Sequence, residues 1–457
     1  MPMRLVENLS TTRPLAELFS DQSVLQAMLD FEVALARTEA RLKIIPQSAA
    51  EAIATAAHAE AFDSAALAIA AAGSGTPVVP LVKALIERVR AQDPAAAGFV
   101  HWGATSQDVA DTALVLLLKK TQPILESDLE RLCQALRRLA AAHTQTVMLG
   151  RTLLQPAPPV TFGLKAAGWL AAVQRCRKRL RVSFLGSLVV QLGGASGTAA
   201  ALGEHGIAVG QALASELGLI YPDAPWHAHR DRLAALICAC GILTGSLGKM
   251  ARDISLLMQH EVGEVSEPAG EGRGSSSTMP QKRNPVGCVA TLTSAYRVPG
   301  LVATFLSSMA QEHERGLGGA QAEWPTVAAV IQATGLAAAS MAEVAEGLTV
   351  DPARMRANID ATRGSIFAER AMMLLGETLG RDRAHKVLEE ATRTSTSRGQ
   401  HLAEVLAGMP EVTKHIDPAV LRALESPEAY LGMAREFQRR AMSGDTSFSG
   451  KPEEKKE

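Results

Sequence analysis

The sequence is short of aromatic residues, of charge imbalance and of cysteine, and each shortage excludes something. Phe, Trp and Tyr make up 4% of the 457 residues, which argues against a strand-rich fold, since strands favour aromatic and β-branched side chains. Lys and Arg total 46 against 47 for Asp and Glu. There is therefore no basic surplus of the kind that nucleic acid or an anionic membrane demands, and neither partner is expected. The five cysteines (Cys133, Cys176, Cys238, Cys240, Cys288) are odd in number and scattered, the pattern of free thiols in a reducing, cytoplasmic setting rather than of a disulfide framework. No apolar run is expected to reach the roughly 18 residues of a membrane helix. The stretch 65–82 is interrupted by Gly73, Gly75, Pro77 and Pro80, and residues 1–14 contain no apolar signal core.

What is present is apolar and helix-forming. Hydrophobic residues make up 47% of the chain, with Ala and Leu prominent. Residues 20–42 place Val24, Met28, Phe31 and Leu35 on one face. Leu114, Leu118, Leu125, Leu129, Leu132, Leu136 and Leu139 recur at helical steps, as do Leu233, Ile237, Cys240, Leu247, Ile254 and Met258. Runs of about 30 residues predict helices of about 45 Å and a long-helix bundle, with Pro123 and Pro299 as kink points. Three zones follow: an N-terminal helical domain over 1–100, a central bundle over 101–350 and a C-terminal helical domain over 351–442. The polar tail 443–457 is expected to be disordered. Helices this long seldom bury every apolar stripe within one chain, so a closed homo-oligomer is expected.

Four segments break the amphipathic pattern. His101-Trp102-Gly103-Ala104-Thr105-Ser106-Gln107-Asp108 precedes a long helix, with Thr105 and Asp108 spaced like a capping box. Two hydroxyls at a helix start suit a carboxylate ligand. Gly150-Arg151-Thr152-Leu153-Leu154-Gln155-Pro156-Ala157-Pro158-Pro159 is proline-dense and is expected to be a rigid connector. Gln191-Leu192-Gly193-Gly194-Ala195-Ser196-Gly197-Thr198 lacks the Lys of a phosphate cradle and the preceding strand of a dinucleotide fold, leaving close backbone approach as the account of its glycines. The fourth runs from Gly270 to Pro285. It combines three alternating glycines, three serines, two cations and Asn284-Pro285, which is expected to act as cap and first turn of a helix. A mobile lid carrying a reactive hydroxyl beside an anion site fits it. His227 and His229, two apart, are poor metal partners, and no metal or cofactor is expected.

The run Ser276-Ser277-Thr278-Met279-Pro280-Gln281-Lys282-Arg283-Asn284-Pro285 resembles the signature of the fumarase/aspartase superfamily. HWGATSQD, GRTLLQ and GGASGT are similar to its other regions, in order, over nearly the whole chain. HWGATSQDVADTALVL, PWHAHRDR, GSLGKMARDISLLMQHEVGEV and QEHERGLG are most similar to the bacterial cycloisomerases that lactonise a carboxylated muconate in protocatechuate breakdown. The resemblance implies an all-α, three-domain fold with a central bundle, a homotetramer with sites shared between subunits, and a small polycarboxylate substrate handled without cofactor. It implies Ser276 as the catalytic acid–base at carbon. His101, Thr105, Ser106, Thr152, Gln155, Ser277, Lys282, Asn284 and Arg315 are implied to hold substrate.

Two departures matter. Ser275 stands where many members have Gly. Leu153 stands where most lyases of the superfamily place a His acid. A poor leaving group needs that acid; a carboxylate that leaves as a stable anion does not. The residues therefore favour a cycloisomerase over an adenylosuccinate-type C–N lyase, which would have to bring in His227, His229 or His313 as acid and Arg230, Arg232 or Arg315 for phosphate. A non-enzymatic scaffold of the same fold is the remaining alternative.

Overall fold

A computed structural model describes residues 6–270, 274–275, 278–279 and 281–443; Ser276, Ser277 and the tail beyond Ser443 lie outside the described residues. Elements are numbered as they are introduced. The stripe at 20–42 folds as α1 (Asp21–Arg41). Ser20 accepts a hydrogen bond from Ser23 N–H at 3.3 Å, satisfying one of the donors orphaned at a helix start. Met28, Phe31 and Leu35 are buried, with Val24 packed beside them. α2 (Gln47–Ala56) and α3 (Val78–Gln92) add Ile53, Leu81, Leu85 and Val89 to the same core.

Long helices follow: α4 (Ser106–Ala142), α5 (Phe162–Ser187), then the shorter α6 (Gly206–Leu217), α7 (Asp231–Leu257), α8 (Val286–Ser308) and α9 (Gly319–Gly347). The 37 residues of α4 give a rod of about 55 Å. The leucine stripe is its buried side: Leu118, Leu125, Leu129, Leu132 and Leu136 have no exposed surface. Pro123 and Pro299 lie inside continuous helices, as does Pro325. α10 (Ala368–Leu379) and α11 (Arg381–Arg398) pack Ala371, Leu375, Ala384 and Val387 into a separate C-terminal core with Leu402 and Leu406.

The chain divides into two compact units of interleaved segments. One comprises the residues up to Glu130 with Arg175–Lys249 and Val289–Met341; the other comprises Arg131–Gln174, Met250–Cys288 and the residues from Ala342.

Two sequence expectations are corrected. The proline-dense segment is no mere connector: Val147–Thr152 (β1) and Gln155–Thr161 (β2) form an antiparallel hairpin with Thr152 opposite Gln155. Pro156 stands opposite Arg151, and the register shifts between Met148 and Gly150, so Pro158 and Pro159 fall at an irregularity of the ladder, where residues without an N–H are tolerated. Second, α7, α8 and α9 are long and apolar enough to cross a membrane by length and composition. For α7 and α9, 61% of the apolar window is buried within this chain; for α8 the share is 28%. Apolar character on several faces is what a central bundle helix requires.

One core residue breaks the pattern. Glu39 on α1 is fully buried, and neither carboxyl oxygen has a partner among the described residues. Burial, then the nearby charge of Glu32, pushes its pKa up to about 8. A carboxyl raised in the folded state takes up a proton on folding. Its contribution to stability is therefore greatest below the ordinary carboxyl range and is lost as pH rises toward about 8. We expect Glu39→Leu to raise unfolding free energy at pH 8 by about 1–3 kcal/mol and to flatten the decline between pH 5 and 8, read from urea melts at each pH; an unchanged slope would refute this account.

Candidate active site

In the first unit the site is built around one carboxylate. Asp108, in the first turn of α4, is fully buried. Its Oδ2 accepts Thr105 N–H at 3.0 Å and Gly194 N–H at 2.9 Å, and its Oδ1 accepts Gly193 N–H at 2.9 Å. His227 Nε2 lies 2.7 Å from the same Oδ1. The capping-box spacing is thus real, but Asp108 does more than cap: it ties the 101–108 loop to the Gly193-Gly194 turn. Close backbone approach is the role of those glycines, as expected.

One turn along α4, Asp111 anchors a second buried network. Arg230, without exposed surface, donates to Asp111 Oδ1 and Oδ2 at 2.9 and 2.8 Å and to Glu323 Oε2 at 2.7 Å. Its guanidinium lies 4.7 Å from the Trp226 ring centroid. Gln107 and Gln191 each donate to Asp111 at 3.2 Å, and Gln311 donates to Glu323 at 3.1 Å. Burial opposes charge on Arg230, but the two carboxylates outweigh it and hold its pKa above the ordinary value. With one cation for two acids, burial leaves the Glu323 carboxyl raised. This corrects two options left open by the sequence. Arg230 is committed and unavailable to a phosphate, and His227 is buried against Asp108.

Arg315 lies beside this network, half-buried. Arg315 donates to Thr105 Oγ1 at 3.1 Å, to Ala195 O at 3.1 Å and to Gly194 O at 3.3 Å. No carboxylate among the described residues pairs with it, and its Nε has no partner. A half-buried guanidinium held by neutral acceptors beside Thr105 and Ser106 retains its capacity for an anion. His101 sits at the same loop with φ of 59°, and its Nδ1 lies 2.6 Å from Glu32 Oε1. The structure therefore brings together His101, Thr105, Ser106 and Arg315.

In the second unit, Thr152 and Gln155 flank the hairpin tip. Leu153 and Leu154 form that two-residue turn, with φ of 49° and 63°. Both φ values are positive, as a type I′ turn requires; the residues normally found there are Asn and Gly. Each Leu in this region costs on the order of 1 kcal/mol. Leu153 is 97% exposed. The hairpin is anchored by Arg151, which donates to both oxygens of the buried Glu264 at 3.0 and 2.6 Å.

The signature loop closes on itself in the same unit. Ser275 bridges Arg283, and Asn284 N–H donates to Gly274 O at 2.9 Å. Gly274 has φ of 65°, and a Cβ there would lie 2.5 Å from Asn284 O, so only glycine fits. Lys282 is exposed, without a side-chain partner among the described residues. The expected Asn284 cap is corrected: α8 begins at Val286, and Glu267 receives Gly287 N–H at 3.0 Å and Cys288 N–H at 2.8 Å. That buried carboxylate occupies the helix start in place of the Asn284 side chain.

Sequence reasoning missed the roles of Glu32, Asp111, Glu264, Glu267 and Glu323. The available signal was acidic residues inside otherwise apolar helical stripes, as Asp108 and Asp111 are on α4. Among the described residues no group of three or more His, Cys, Asp or Glu is arranged to hold a metal ion.

Comparison with known proteins agrees with this arrangement. The chain matches the family model described as lyase over residues 8–300 and that for the adenylosuccinate lyase C-terminus over residues 364–441. It belongs to this lyase family, of the fumarase/aspartase superfamily that its four signature segments resemble. More particularly, it is 50% identical over 91% of its length, and 92% of the relative's, to a 3-carboxy-cis,cis-muconate cycloisomerase of Bradyrhizobium diazoefficiens. It is 44% identical, over 94% of the chain and 92% of the relative, to a nitrosuccinate lyase of Streptomyces davaonensis. The crystal structure of the 3-carboxy-cis,cis-muconate lactonizing enzyme of Pseudomonas putida superposes with a TM-score of 0.90 at 45% identity, covering 96% of this chain and 98% of that one.

Breaking the Arg230 network should unfold the first unit rather than merely slow it. We expect Asp111→Ala to cost about 3–5 kcal/mol, because it takes from the buried Arg230 the carboxylate that accepts from both Nη groups, and from Gln107 and Gln191 their shared acceptor. Leu153→Ala, exposed at a hairpin tip, should cost less than about 0.5 kcal/mol. Chemical denaturation of both variants checks the contrast.

Proposed function

We propose that this chain is a cofactor-independent cycloisomerase that lactonises 3-carboxy-cis,cis-muconate in aromatic breakdown. The observation that carries the reading is the near full-length likeness to 3-carboxy-cis,cis-muconate cycloisomerases, with Ser276, Lys282 and Asn284 of the signature intact. The chemistry of the site supports it. A tricarboxylate needs several cationic or hydroxyl donors, and Arg315, His101, Thr105, Ser106, Thr152, Gln155, Ser277, Lys282 and Asn284 supply them.

The proposed reaction starts with those donors clamping the carboxylates. A carboxylate oxygen of the substrate adds to the diene carbon β to another carboxylate, forming the lactone C–O bond. The displaced π electrons move onto that second carboxylate as an aci-carboxylate, where preorganised donors stabilise the new charge. Ser276 Oγ delivers its proton to the α carbon and recovers one from solvent. In reverse the leaving group is a carboxylate, so no acid is needed and Leu153 is tolerated where C–N lyases of the superfamily keep His.

A second reading rests on the same residue. Nitrosuccinate would expel nitrite, also a stable anion, so Leu153 is equally compatible with the activity named for the Streptomyces relative. Adenylosuccinate cleavage has less support, since His227 and Arg230 are engaged elsewhere. A homotetramer with shared sites is part of the proposal. α8 exposes Val289, Tyr296 and Leu306, a face suited to burial against other copies. Free thiols, four of the five buried, accord with a cytoplasmic location.

The test is loss of diene absorbance with 3-carboxy-cis,cis-muconate, with nitrosuccinate and adenylosuccinate in parallel. Fast turnover of the first alone is expected; turnover of only another substrate would overturn the assignment. Ser276→Ala should lower kcat by about 10²–10⁴-fold with KM little changed. If Ser275→Ala or Ser277→Ala does so instead, the acting serine is a neighbour. Light scattering should give a mass of four chains, reduced by Tyr296→Glu; a wild-type monomer would refute the shared-site proposal.

A further inference from the structure

We infer that Glu32, on α1 and far in sequence from every signature segment, is the positioning residue that makes His101 a cationic anchor for a substrate carboxylate. The inference rests on the proposed reading for the identity of the substrate, but the pairing itself rests on geometry. Glu32 is fully enclosed, its side chain 1% exposed, while His101 keeps 19% exposure. One end of the pair is in the core; the other keeps exposure on the loop that carries Thr105, which Arg315 binds. The contact at 2.6 Å engages Nδ1, which leaves Nε2 as the ring's outward donor. His101 is held at a φ of 59°, a conformation that a side chain adopts when its surroundings demand it.

The charges nearby have a consistent sense. Glu32 Oε2 has no partner among the described residues, so the carboxylate has one strong interaction, with His101. The groups acting on His101 are Glu32 from α1 and Asp108 from α4. Burial disfavours the imidazolium, but these two acids outweigh it and raise the His101 pKa above the ordinary value. Glu39 lies two turns from Glu32 on the same face of α1. Its raised pKa keeps it neutral through mildly acidic and neutral pH, so it adds little competing charge beside the pair. The acids on α1 and α4 thus favour the protonated ring over the neutral one, and the 2.6 Å contact fixes its orientation.

The test separates charge from orientation. Glu32→Gln keeps a side-chain oxygen able to accept from Nδ1 but removes the charge; Glu32→Ala removes both. Histidine C2-hydrogen exchange, read by mass spectrometry on the full-length protein, gives the His101 pKa without reference to activity. We expect Glu32→Gln to lower it by about 1–3 units. The KM for 3-carboxy-cis,cis-muconate should rise about tenfold or more at pH 8 and recover near pH 6, with kcat changing less. A merely structural Glu32 would leave the His101 titration and the shape of the pH profile as in wild type, and that result would overturn the inference. In the double variant Glu32→Gln/His101→Gln, KM should equal that of His101→Gln alone; an additive loss would show that Glu32 does not act through His101. Thermal melts identify any variant that fails to fold, and the isosteric Gln variant is then decisive. If the wild-type enzyme ignores this substrate, the functional reading fails, while the exchange measurement still decides the pairing.

Discussion

The buried carboxylate of Asp108 is the constraint on which the first unit's site depends. A charge without exposed surface survives only if its lone pairs are filled. Here the donors come from three places: its own loop through Thr105 N–H, the Gly193-Gly194 turn, and His227. Satisfying one side chain therefore fixes three chain segments that lie up to 119 residues apart in sequence. Arg315 then bridges Thr105 to the carbonyls of that same turn. Its cation is held in place by neutral groups, so the charge remains to be used by a ligand.

A second theme is the separation of committed from uncommitted charge. Arg230, Arg151 and Glu267 have buried partners and act as fasteners: Arg230 on Asp111 and Glu323, Arg151 on Glu264, Glu267 on the start of α8. Arg315 and Lys282 have no acidic partner among the described residues. A polyanionic substrate needs cations whose desolvation is already partly met and whose charge is not yet neutralised. The strained Leu153-Leu154 turn belongs to the same logic. A loop optimised only for stability would carry Asn-Gly there, where positive φ costs less.

Much of this was legible in the residues. The helical stripes gave the right elements because burying a continuous apolar face leaves a 3.6-residue imprint, and the leucines from Leu118 to Leu136 are buried as that imprint required. The signature segments were legible because glycines, hydroxyls and cations concentrated between helices have no packing explanation. The hairpin at 147–161 was not, because prolines signal the absence of hydrogen-bond donors without telling an edge strand from a connector. The cap of α8 was misplaced because Asn284-Pro285 satisfies the local rule, whereas Glu267, 20 residues upstream of the first capped amide, satisfies the same donors through tertiary contact.

The sequence by itself determined the helical class, the segments that carry chemistry, the superfamily likeness and the absence of an acid at Leu153, because each is written in local pattern or residue identity. Only the tertiary structure decided which charges are spent and which remain available. Nothing local distinguishes Arg230 from Arg315, or marks Glu32 as the partner of His101. A charge's availability depends on what the fold places within 3 Å of it, and those neighbours come from distant parts of the chain.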